Sequence, residues 1–178
     1  MRMPSYLLLA VLCLPTLAHA YISAVDEAAA KIDHFHEVTP GKVYRGALPD
    51  EMNGAIVVER ASAERHGIHL IHRPMRAGIH KIDKAETDNV LALMADPANY
   101  PLYFHCKHGW DRTGFIGGLY RVFVEKSMDA SEAWQEMLAD GFHPIILGLN
   151  CTYRERTGLT RPLICGILPD YNPVLSDE

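Results

Sequence analysis

The stretch His34 to Gly46, HFHEVTPGKVYRG, holds two extended runs on either side of Pro40-Gly41. That turn dipeptide predicts a hairpin. Upstream, Ala24 to Ile32 is a short helix or a frayed terminus. Ile56-Val57-Val58 is a short β-branched run, and Ile68 to Ile71 (IHLI) reads as a short strand before Pro74. Asp83 with Glu86 three residues later predicts a helix start, and Val90, Leu91, Leu93 and Met94 give that helix an apolar face. Pro97 and Pro101 close it. Pro101 to His105 reads as a buried strand. From Gly114 to Lys126, apolar residues at Phe115, Leu119, Val122 and Phe123 fall at helical spacing. Asp129 and Glu132 start another helix, whose inner face is Ala133, Trp134, Met137 and Leu138, and Gly141 ends it. Beyond Phe142 the pattern weakens. Strands alternate with helices, so the pattern predicts an α/β domain with a central, mostly parallel sheet flanked by helices.

The first twenty residues stand apart. Arg2 precedes an apolar stretch from Tyr6 to Leu17 that is too short to span a bilayer, and Ala18-His19-Ala20 has the small-x-small form of a cleavage site. Residues 1–20 are therefore expected to be a signal peptide and residues 21–178 a single domain. The expected product is exported, periplasmic or secreted, with no stable membrane anchor after cleavage. The 178-residue chain has net charge −5, and the leader contributes Arg2 and no acidic residue. A negative balance argues against a nucleic-acid partner. Cys13 lies in the leader, which leaves three cysteines, an odd number that predicts one free thiol and one disulfide in an exported chain.

The chemistry concentrates in YFHCKHGWDRTG, residues 103–114. A strand, a compact loop and a helix in that order can cradle a phosphate, because loop N–H groups converge on an anion and the helix start adds partial positive charge. Gly109 lets the backbone turn inward. Arg112 offers a planar fork that fits two phosphate oxygens. Cys106, at the head of the loop, lies in the same field, which favours its thiolate. A thiolate beside a bound phosphate implies attack on phosphorus and a phosphocysteine intermediate.

Residues His105 to Gly114 resemble the HCxxGxxR(S/T)G signature of cysteine-dependent tyrosine and dual-specificity phosphatases. The likeness is strongest to secreted bacterial dual-specificity phosphatases. Those also carry a Tyr-Arg pair in the following helix, as Tyr120-Arg121 do, and a Tyr-Arg-x-Ala-Leu-Pro segment, matched by Tyr44 to Pro49. The resemblance runs from about Val43 to Gly141. It implies a compact dual-specificity-phosphatase fold. It also implies Cys106 as nucleophile, Arg112 as phosphate clamp, Thr113 as donor to the leaving thiolate and His105 as support for the loop. Lys107, His108, Gly109, Trp110 and Asp111 would bind phosphate with Arg112. No metal or other cofactor is implied. The expected substrate is a phosphotyrosine protein, with phosphoserine and phosphothreonine as further options. Lys107 and the Gly-Trp-Asp-Arg-Thr run, similar to the loop of myotubularin lipid phosphatases, keep a phosphoinositide or inositol-phosphate substrate open. A non-catalytic phosphate-binding module is the third reading.

The sequence departs from that family twice. Only Asp50 to Ala55 separate Pro49 from Ile56-Val57-Val58, too few residues for the family's helix, so the domain is expected to be trimmed between residues 50 and 56. The general acid is also displaced. His80 falls where the family has an aspartate. Asp83 ranks first because it is a carboxylate, with His80 and Asp111 as alternatives, although Asp83 also suits a helix cap. The loop Arg73 to Ile82 is expected over the cradle, with Arg73 and Arg76 as solvated or substrate-facing charges. Cys151 and Cys165 are expected to pair, leaving Cys106 free. His34, His36 and Glu37 lack a third partner for a metal.

Overall fold

The computed structural model describes residues 26, 27, 30–49 and 56–169. The proposed leader lies outside them. No helix among the described residues is long and apolar enough to cross a membrane. The hairpin forms β1 (His36–Thr39) and β2 (Val43–Ala47), antiparallel across the Pro40-Gly41 turn. Gly41 has φ +70°, and the Lys42 amide donates to the Thr39 carbonyl at 3.0 Å. Next come α1 (Ile56–Arg65), α2 (Lys84–Ala95) and β3 (Leu102–Cys106). The chain continues with α3 (Asp111–Tyr120), a π turn at Arg121–Glu125, α4 (Ala130–Ala139) and α5 (Leu147–Thr157). A short 3-10 turn spans Leu163–Gly166.

The described sheet has three strands in the order β1-β2-β3, with the second pairing parallel. That register sets Gly46 beside His105 and Ala47 beside Cys106. The Tyr-Arg-Gly-Ala-Leu-Pro segment thus flanks the strand that ends in Cys106. Helix α3 runs through the core: every residue from Thr113 to Tyr120 is buried. Phe115 and Leu119 pack with Val43, Leu91, Met137, Leu149 and Tyr153 in one cluster. Helix α4 starts as its sequence requires, with a capping box between Asp129 and Glu132. Tyr120-Arg121 is structural. Arg121 donates to the Val38 carbonyl at 2.7 Å and pairs with Glu125 and Glu136, which ties the hairpin to the helical layer.

Three expectations need correction. Ile56-Val57-Val58 begin a helix, because the Glu59 to Arg65 run (ERASAER) is rich in strong helix formers and carries the β-branched start with it. The helix thought to be trimmed away between residues 50 and 56 is therefore present one step later. Ile68 to Ile71 pair with no strand among the described residues, and Ile68 and Ile71 are exposed. The shortening falls on this strand.

Cys151 and Cys165 are joined, with Cα atoms 5.3 Å apart, and Cys106 is free. The bridge fastens the 3-10 turn to α5. Closing a loop of this size stabilises by about 3 kcal/mol in the chain-entropy model. The double variant Cys151→Ser/Cys165→Ser should therefore melt roughly 6–12 °C lower than wild type. An unchanged melting temperature in calorimetry would show that the bridge carries no stability.

Candidate active site

Cys106 ends β3 and is half-buried. Burial pushes its thiol up, but hydrogen bonding outweighs this and the net shift is down. The lowering comes from the Thr113 hydroxyl and from the backbone amides of Thr113, His108 and Gly109. These donors exist because the loop 107–110 folds back over the strand end and feeds α3. Thr113 is 2% exposed, and its buried Oγ1 makes no hydrogen bond of ordinary geometry to any other described group.

Gly109 explains how the loop can fold so tightly. Its φ is +77°, a region that favours glycine. A Cβ here would also come within 2.7 Å of Ala47 N and Gly46 C, so the loop lies directly on β2. Arg45 locks it there. This arginine is 2% exposed, donates from Nη2 to the Gly109 carbonyl at 2.9 Å, and pairs through Nη1 with Asp140 at 2.7 Å. Burial pulls its pKa down; Asp140, Glu136 and Cys106 oppose that shift. A second support is Glu59 of α1, whose carboxylate accepts from His105 Nε2 at 2.9 Å. Tyr103 stacks on the same ring at 5.6 Å between centroids. Sequence reasoning assigned no role to Arg45 or Glu59. The Tyr-Arg-x-Ala-Leu-Pro segment was the only signal for Arg45.

Arg112 follows Asp111 at the start of α3 and donates to the Met75 carbonyl at 3.3 Å. It lines an open cleft of about 510 Å³ whose other wall is the loop Met75 to His80. The loop from Arg73 to Ile82 therefore does stand over Arg112.

The three residues weighed as the acid lie in different settings. The Asp83 side chain caps α2 by accepting the Ala85 amide at 2.6 Å, and it is not part of the cleft lining. Asp111 Oδ1 accepts from His143, from the backbone amide at 2.8 Å and from the Nδ1 side at 2.9 Å. His80 lines the cleft. Lys107 and His108 are exposed beside the thiol. Trp110 is half-buried among the rings of His34, His108 and His143, with centroids 5.1, 5.7 and 5.3 Å away. His36 sits 3.8 Å from Asp140. No group of three or more metal-ligating side chains gathers among the described residues.

Residues 51–129 match the family model described as tyrosine phosphatase family. Two curated relatives, both named dual specificity protein phosphatase TpbA and from two strains of Pseudomonas aeruginosa, are 29% identical over 138 and 142 residues. The alignments cover 69% and 71% of this chain. The chain spans only 60% and 62% of the length of these relatives. Among solved structures, P. aeruginosa TpbA superposes with a TM-score of 0.56 at 24% identity, covering 69% of this chain and 84% of that one. TpbA in complex with phosphotyrosine gives 0.55 at 24%, covering 68% and 83%. The core catalytic domain of the PP-IP phosphatase SIW14 from S. cerevisiae gives 0.52 at 22%, covering 62% and 77%. The chain has the α/β fold of these phosphatases, and its segment from residue 51 to 129 is similar to the tyrosine phosphatase family.

Proposed function

We propose that this chain is an exported cysteine-dependent phosphatase that hydrolyses phosphotyrosine through a phosphocysteine intermediate. The observation that carries the reading is the setting of Cys106. A thiol held below its ordinary pKa by loop amides and Thr113 ends β3, one short loop ahead of a helix whose first turn supplies Arg112. The amides and guanidinium bind the phosphate oxygens, and the Cys106 thiolate attacks phosphorus as the ester P–O bond breaks. The bond electrons leave with the ester oxygen. Water then attacks the phosphocysteine, releasing phosphate and returning the electron pair to sulfur. His105, held by Glu59, supports the strand end, and Lys107 to Asp111 form the rim and floor.

An aryl ester suits the cleft, since Met75 and Ile79 give its loop wall apolar surface for a ring. TpbA, which shares the fold, has been solved holding phosphotyrosine. A second reading, an inositol-phosphate or phosphoinositide substrate, is favoured by Lys107 and His108, exposed beside the thiol where further phosphates would lie. Export is supported by the leader-like sequence of residues 1–20 and by the Cys151–Cys165 bridge, which an oxidising compartment preserves. The test is phosphate release from phosphotyrosine peptides and from inositol phosphates at matched concentrations. Vanadate-sensitive release from the peptides, at the higher kcat/KM, is the expected result. Preference for the inositol phosphates selects the second reading, and release from neither class refutes the enzyme.

A further inference from the structure

We propose that His80 is the general acid of this site, rather than Asp83, the carboxylate that the family resemblance ranks first. The inference rests on the phosphatase reading above and names the residue that reading leaves open. Four observations converge on it. His80 lines the cleft together with Arg112, the residue that would clamp the phosphate. Its ring has no hydrogen-bond or ion-pair partner among the described residues, so both nitrogens are available to a substrate. The competing carboxylates are engaged: Asp83 caps α2, and Asp111 holds His143.

The fourth observation is how firmly the loop is held on both sides of His80. The Gly148 amide donates to the Gly78 carbonyl at 2.7 Å, and the Ile82 amide donates to Thr152 Oγ1 at 2.9 Å. The Lys81 amide donates to the Pro169 carbonyl at 3.2 Å. Helix α5 presses so close that a Cβ on Gly148 would stand 2.0 Å from the His80 carbonyl oxygen. An acid must be placed within hydrogen-bond reach of the atom that it protonates, and a pinned backbone provides that placement. Imidazole can both give and take a proton near neutral pH.

The proton balance is simple. As the bond from Cys106 sulfur to phosphorus forms and the ester P–O bond breaks, a ring N–H of His80 gives its proton to the leaving oxygen. In the second half the neutral ring takes a proton from the attacking water as the S–P bond breaks.

Two aryl phosphates of similar size test this. p-Nitrophenolate leaves readily without a proton, whereas phenolate needs one. His80→Asn should lose about 10²-fold or more in kcat on phenyl phosphate, and far less on p-nitrophenyl phosphate. His80→Asp should recover much of the phenyl phosphate rate, because a carboxyl at that place can do the same transfer. Equal losses on both substrates, or no loss on phenyl phosphate, overturn the assignment while leaving the phosphatase reading intact. Wild type inactive on both substrates overturns the two together. Should His80→Asn melt early, His80→Gln is read by the same ratio.

Discussion

Cys106→Ser is expected to release no phosphate from any ester while still binding vanadate and phosphate. A serine hydroxyl stays protonated under conditions where the Cys106 thiol ionises, since the cradle lowers a thiol from an already accessible range. Losing a covalent nucleophile costs on the order of 10⁴–10⁶-fold in kcat. The amides of His108, Gly109 and Thr113 belong to the backbone and survive the substitution, so oxyanion binding should persist. Arg112→Lys should fall by about 10²–10³-fold, because a point charge cannot reproduce a two-pronged contact. The two variants differ in what they keep. The serine variant should hold vanadate with near wild-type affinity, and the lysine variant should hold it more weakly. Residual turnover by Cys106→Ser within 100-fold of wild type, measured with enzyme free of contaminating phosphatase, would remove the phosphocysteine route on which the proposed mechanism depends.

Local patterns carried the parts of the fold that rest on local physics. Pro40-Gly41 could only turn the chain, and Asp129 with Glu132 could only start a helix, so the hairpin and α4 were readable directly. The cradle was readable because strand, loop and helix are contiguous in sequence. Three features were harder to read, one through competing local propensities and two through long-range contacts. Ile56-Val57-Val58 look like a strand until the seven helix-favouring residues after them are weighed. Helix α5 (LGLNCTYRERT) contains Asn, Thr and Tyr on faces that are buried anyway, so no amphipathic stripe announces it. Its burial comes from α3 and from the loop that it presses on. The same holds for Arg45, which lies 64 residues from Gly109 and 95 from Asp140. The placement proposed for the acid turns on the loop from residue 73 to 82. Capping chemistry could be read at Asp83, but which side chain enters the cleft depends on how α5 pins the backbone.

Arg45→Met should destabilise the protein by about 3–5 kcal/mol and weaken oxyanion binding together. The wild-type guanidinium is almost wholly buried and satisfies two acceptors at once, the Asp140 carboxylate and the Gly109 carbonyl. Methionine fills much of the same volume but donates nothing. Asp140 is then left largely buried with only the more distant His36 beside it, and the Gly109 carbonyl faces an apolar side chain. The second loss reaches the active site. A trans peptide points its C=O and N–H in opposite directions, so holding the Gly109 carbonyl toward Arg45 also fixes the direction of the Trp110 amide. Released from Arg45, that peptide can turn, and the cradle loses the preorganisation that makes its amides effective. The paired variant Asp140→Asn separates the two effects. It removes the ion pair yet leaves Arg45 free to hold Gly109, so stability should fall while vanadate affinity changes little. A double-mutant cycle on both readouts should then show coupling in stability and almost none in vanadate binding. An Arg45→Met protein with wild-type melting temperature and wild-type vanadate affinity would mean that the loop holds its shape without the latch, through the contact of Gly109 with β2 alone.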